Sequence, residues 1–169
     1  MNAEELRQLQ APLKARYRDD PRAACVTLKA AGSLDREGVA CSVETGEALV
    51  RAGLHPATGG DGSLVCSGDV LLQALAACAG VTLRAVATAI GVPVRSGTVR
   101  VEGDLDFRGT LGVSKEAPVG FTAIRLSFEL ESDAEPSQLE QLLKLTERYC
   151  VVYQTLRQGT AVTASYQAR

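Results

Sequence analysis

The 169-residue sequence predicts an α+β fold. Two observations carry this. The strand-like stretches come in runs instead of alternating singly with helices, and two strongly patterned helices are set between and after those runs. The order read along the chain is β-β-β-α-β-β-α-(α)-β. Connections between successive strands are short, so they favour antiparallel pairing over parallel crossovers.

Residues 3–17, AEELRQLQAPLKARY, form a polar helical stretch that Pro12 is expected to kink or split, because proline lacks a backbone donor. Residues 1–22 are read as an N-terminal helical extension and 23–169 as the main domain. Asp19-Asp20-Pro21 marks a turn. Strands are expected over Ala24–Ala31, Val39–Val43 and Ala48–Leu54, punctuated by Gly32-Ser33, Asp35–Gly38 and Thr45-Gly46. The glycine-rich loop His55–Ser67 follows. It is a poor phosphate loop, since no Lys-Ser/Thr follows Gly59-Gly60.

Ser67–Gly91, SGDVLLQALAACAGVTLRAVATAIG, reads as one long helix. Leu71, Leu72, Leu75, Ala76, Ala79, Leu83, Val86 and Ile90 recur at helical steps. Little polarity interrupts the other side, so burial nearly all round is expected. Ser67 or Asp69 can cap its start, and Gly91 with Pro93 ends it. Gln73, Arg84 and the many alanines leave it short of the ~20 strongly apolar residues of a membrane span.

Gly97–Phe107 and Phe121–Glu131 alternate apolar and charged residues and read as a matched pair of strands, joined by an irregular connection. A helix starts near Pro136, with Leu139, Leu142, Leu143 and Thr146 on one face, and runs to about Cys150. A short turn over Val151–Leu156 and a closing strand over Thr160–Tyr166 complete the chain.

Composition narrows the function. Apolar residues make up 46% and charged residues 22%, as in a globular protein, and a net charge of −2 offers no footprint for nucleic acid or an anionic membrane. The N-terminus MNAEELRQLQ is too polar for a secretory leader, so the cytoplasm is the expected compartment. Five cysteines (Cys25, Cys41, Cys66, Cys78 and Cys150), with no CxxC spacing, suit neither a disulfide framework nor a zinc site. Cys78 sits mid-helix among alanines, and Cys150 ends the later helix. Packing of two core helices could bring the two together for redox chemistry; equally, free cysteine packs as a small buried hydrophobe. Cys66 is an alternative partner thiol. His55, the single histidine, reads as a loop residue, and Tyr149 and Tyr153 as core or cleft lining.

Asp69-Val70-Leu71-Leu72-Gln73-Ala74-Leu75-Ala76-Ala77-Cys78 resembles the reactive-cysteine helix of the OsmC/Ohr family, and Glu147-Arg148-Tyr149-Cys150-Val151-Val152 resembles its second cysteine motif. Gly103–Phe107, Arg108-Gly109-Thr110 and Val119-Gly120-Phe121 are similar to the OsmC-like branch. The likeness runs from about Val26 to Ser165. It implies an OsmC-like fold, an antiparallel sheet wrapped around two central helices in an intertwined homodimer. It further implies a thiol peroxidase for organic hydroperoxides. Cys78 would be the attacking thiolate and Cys150 the thiol that closes a disulfide with it. No metal or bound cofactor is implied, only an external dithiol or lipoyl-type reductant.

By the same resemblance, Asp69 would hold an activating arginine. Arg36, in the loop after the first strand, is the nearest candidate, and Arg51 is a second. Val151 stands where the family usually has proline. The alternative function is a non-catalytic binding or redox-sensing protein on the same fold.

Overall fold

The computed structural model describes residues 2–19, 31–34, 40–44, 49–112 and 114–168. Helix α1 covers Ala3–Asp19. It continues through Pro12, contrary to the expected split. A proline removes one donor from the ladder, and the bonds on either side carry the backbone on.

Strands β1 (Ala31–Leu34), β2 (Ala40–Glu44) and β3 (Leu49–Gly53) form the expected antiparallel meander. Gly32-Ser33 lies inside β1, paired with Val43 and Ser42, where a turn was expected. The first expected strand, from Ala24, lies outside the described residues up to Ala31, as do Cys25 and Arg36. A two-residue strand, β4 (Val65–Cys66), adds parallel to β3. It is too short to leave a periodic signal.

Helix α2 spans Ser67–Ile90 and ends at Gly91, whose φ of 73° is the left-handed conformation that glycine adopts without strain. Its N-cap is Cys66, and no side chain caps it, so neither Ser67 nor Asp69 fills the expected role. The expectation of all-round burial is corrected too. Leu75, Ala79, Leu83, Val86 and Ala87 form a buried stripe, while Val81 is 72% exposed on the outer side. By length and composition α2 is apolar enough to cross a membrane, with a mean hydropathy of 1.8, contrary to expectation. The core helix of a folded domain meets the same measure, and here the buried stripe packs on other elements of the chain.

Strands β5 (Ser96–Asp104) and β6 (Ala123–Glu131) pair antiparallel in a separate two-stranded sheet, from Ser96 opposite Glu131 to Asp104 opposite Ala123. Val99, Val101, Ile124, Leu126 and Phe128 face the helices. Arg100 bonds Glu129, and Arg125 bonds Glu102 and Asp104, on the outer face. Gly103 faces inward, where a Cβ would stand 2.5 Å from the Phe121 ring, so glycine alone admits that ring. β5 stops before Leu105. A short helix, α3 (Phe107–Thr110), capped by Asp106, replaces the expected end of the strand.

Helix α4 (Pro136–Tyr149) opens with Pro136 at its first turn and a reciprocal capping box between Glu135 and Gln138. Leu142 and Thr146 are buried, with Leu139 and Leu145 beside them. Leu143 is exposed, because the inward face runs through positions 139, 142 and 146. Helix α5 (Val151–Gln158) follows directly and ends at Gly159.

Residues 160–168 pair with no strand, contrary to expectation, and are exposed throughout. No described strand runs alongside them to complete a ladder. α2 packs against α4, α5 and β5, which sets its middle turns between the second helical pair and the small sheet.

Candidate active site

The α4–α5 junction defines the site. Cys150 is both the C-cap of α4 and the N-cap of α5, with φ −74° and ψ 109°. Its N–H bonds the Thr146 carbonyl at 2.9 Å, and its carbonyl accepts from Gln154 at 3.0 Å. The N–H groups of Val151, Val152 and Tyr153 therefore emerge from the start of α5 without a carbonyl partner from the preceding turn. A helix start concentrates partial positive charge, which favours an anion there.

The sulfur of Cys78 lies at that start. Leu75, Ala79 and Cys150 form one buried cluster, with Cys78, Val152, Tyr153 and Leu156 packed against it. The structure thus brings Cys78 and Cys150 together. Enclosure by apolar neighbours pushes the Cys78 thiol up. The backbone N–H of Val152, the Cys150 thiol, the N–H of Val151 and the Thr82 hydroxyl outweigh this and leave it below the ordinary thiol range.

Cys150 moves the other way. Burial raises it first. The N–H groups of Tyr153 and Val152 pull it partly back, while donation to Cys78 and the nearby Cys78 charge keep its proton in place. Exposure divides the pair in the same sense: Cys150 is 0% exposed, and Cys78 is half-buried. One thiol is half-buried and held below its ordinary range. The other is fully buried and pushed up.

A cleft of about 380 Å³ lies beside this pair, lined by Leu75, Phe121, Ile124, Tyr153, Leu156 and Arg157. It shares Leu75, Ile124, Tyr153 and Leu156 with the cysteine cluster, although neither cysteine lines it.

The other candidates lie elsewhere. Asp69 lines a groove between α2 and β5 with Leu72, Gln73, Arg100 and Glu102. Nine positions before Cys78, it points from the opposite side of the helix, about two and a half turns away. Arg36 lies outside the described residues. Arg51 is on β3, opposite Ser42. Cys66 occupies the N-cap position of α2 without a side-chain bond to it, about 18 Å of helix rise from Cys78. His55 accepts from the Ala57 N–H through Nδ1 and stacks on Phe107 at 4.8 Å, in a loop role as expected. No metal-binding cluster of His, Cys, Asp and Glu occurs among the described residues.

Sequence reasoning missed Thr82 and the bare start of α5. The signal for the second was present: two helical patterns abut at Cys150 with no loop between them.

A family profile described as OsmC-like protein matches residues 60–165. An OsmC-like protein from Mycoplasma pneumoniae superposes with a TM-score of 0.65 at 17% identity, covering 78% of this chain and 88% of that one. An organic hydroperoxide resistance protein from Elizabethkingia anophelis gives 0.63 at 12% identity, covering 79% and 89%. The organic hydroperoxide resistance protein OsmC of Legionella pneumophila gives 0.60 at 19% identity, covering 78% and 90%. No curated protein matches the sequence. The profile spans well over half of the chain, and the fold agrees with it: this chain belongs to the OsmC-like protein family.

Proposed function

We propose that this protein is a thiol-dependent peroxidase that reduces organic hydroperoxides. The observation that carries the reading is the unequal pair: a half-buried Cys78, its thiol held below the ordinary range, packed against a fully buried Cys150 whose thiol is pushed up.

The chemistry balances as follows. The Cys78 thiolate attacks the terminal oxygen of ROOH. An S–O bond forms, the O–O bond breaks, and the departing alkoxide takes up a proton to become ROH. The sulfenic acid on Cys78 is then attacked by the Cys150 sulfur. An S–S bond forms, and the hydroxyl leaves with the Cys150 proton as water. An external dithiol, free or lipoyl-type, reduces the disulfide and is itself oxidised. The cleft, through Leu75, Ile124 and Leu156, would hold the R group and favour bulky hydroperoxides over hydrogen peroxide.

The names of the Legionella and Elizabethkingia proteins agree with this reading. Arg36 is retained as the candidate cation for the site. Asp69, in the first turn of α2, is assigned to the helix start, where a carboxylate complements the dipole.

The working form is proposed to be a cytoplasmic homodimer. Val81 on the outer face of α2 is 72% exposed, Val151 70% and Tyr149 58%, apolar side chains that a second copy would cover.

Intact-protein mass spectrometry after one equivalent of cumene hydroperoxide tests the chemistry. Wild type should lose two hydrogens, and Cys150→Ala should gain one oxygen on Cys78. No change in either protein would rule it out.

A further inference from the structure

The arginines of the small sheet and its flanks are matched by partners within the chain. Arg95 bonds Glu131, Arg100 bonds Glu129, Arg108 bonds Asp106 and Arg125 bonds Asp104. Arg84 donates to the carbonyls of Val94 and Arg95. Arg157 differs from all of these. It lines the cleft beside Tyr153 and Leu156, and it makes no hydrogen bond or ion pair among the described residues. The other residues lining the cleft are uncharged, and α5 itself, VVYQTLRQ, contains no carboxylate.

A cation in the last turn of a helix complements the macrodipole, which accounts for a basic residue at this position. It does not account for the apolar side chains gathered beside the charge. Arg157 stands four residues after Tyr153 and seven after Cys150, so the three share one face of α5. The rise from Cys150 to Arg157 is about 10 Å. The cleft thus offers apolar contact from Leu75, Ile124 and Leu156, all shared with the cysteine cluster, together with one unanswered positive charge.

A ligand that matches both features is amphipathic, with a hydrocarbon body and an anionic head. A guanidinium takes a carboxylate through two parallel N–H donors. The Tyr153 hydroxyl, also without a hydrogen bond among the described residues, is a further donor one turn away. A neutral hydrocarbon would use the apolar contacts and leave the charge unmatched.

We propose that the cleft binds amphipathic carboxylic acids, with Arg157 as the specificity-determining residue that holds the carboxylate. The proposal deepens the peroxidase reading and rests on it for the identity of the substrate, whose far end the acid would be; the binding itself needs no turnover.

The test is isothermal titration calorimetry of full-length wild type and Arg157→Gln with decanoate and with decanol, each kept below the concentration at which it aggregates. Arg157 is exposed on the last turn of α5, so the substitution should leave the fold intact. Wild type should bind decanoate about fivefold more tightly than decanol, as one exposed ion pair provides, and Arg157→Gln should bind the two alike. Equal affinities in wild type would overturn the proposal. So would a preference for decanoate that survives Arg157→Gln, which would place the carboxylate elsewhere. Binding of neither ligand would overturn it as well, the result expected if a second copy of the chain covers the cleft. Neither ligand is a peroxide, so each of these results is separate from a wild type that fails to consume cumene hydroperoxide.

Discussion

Cys78 packs against Cys150 in one buried cluster, and the two differ in access: Cys78 is half-buried and Cys150 wholly enclosed. The asymmetry follows from one feature of the chain. Cys150 occupies the joint between α4 and α5, so it is buried by both helices, and the free N–H groups that follow it are delivered to Cys78.

Cys78 should therefore be alkylated with a midpoint below the ordinary thiol value, because the anion is favoured in the folded protein. Removing the Cys150 donor by Cys150→Ala should raise that midpoint, since one bond to the charged form is lost. Iodoacetamide rates across the range of about pH 5 to about pH 9 would show both. A midpoint unchanged by Cys150→Ala would detach the two thiols.

Val151 offers a cleaner probe of the helix start. Its N–H belongs to the first turn of α5 and favours the Cys78 thiolate, and a proline in its place has no N–H to give. Proline suits the first helical position, so Val151→Pro should fold normally and melt near wild type. Its Cys78 midpoint should nevertheless rise. The family resemblance places proline at this position, which makes the valine an added donor in this chain.

The cleft makes a prediction about substrate size. Leu156 is part-buried against the cysteine cluster, and trimming it removes roughly 1 kcal/mol of apolar contact for a bulky R group. Leu156→Ala should raise KM for cumene hydroperoxide about fivefold and leave hydrogen peroxide turnover nearly unchanged. Equal loss for both substrates would place the R group elsewhere.

Stability should divide between the inside and outside of the small sheet. Leu142 on α4 is 0% exposed, and Leu142→Ala should cost about 2–5 kcal/mol by chemical denaturation. Arg125 bonds Glu102 and Asp104 on the solvent face, where screening leaves ion pairs worth little. Arg125→Ala should cost less than about 1 kcal/mol. A larger loss at Arg125 than at Leu142 would contradict the packing described.

Periodicity made the main elements legible. The β5–β6 pair and α4 leave strong patterns because each has a wet face and a dry one, and α2 through its apolar residues at helical steps. What escaped has physical reasons. β4 has two residues and α3 four, too few for any period. Val162 and Tyr166 alternate as a strand would, yet alternation supplies no partner, and the segment is exposed. Asp69 shares a motif with Cys78, but spacing by nine residues sends it to the other side of α2. Cys78 and Cys150 were readable as candidates. Their activating donors were not, since Val151 and Val152 act through backbone N–H groups that every residue but proline carries.

The most direct measurement is steady-state consumption of cumene hydroperoxide with dithiothreitol by wild type, Cys78→Ser and Cys150→Ser. The account predicts many turnovers by wild type, none by Cys78→Ser, and an altered, slower or rapidly inactivated reaction in Cys150→Ser. Consumption of about one equivalent per Cys78, or turnover that survives Cys78→Ser, would contradict it.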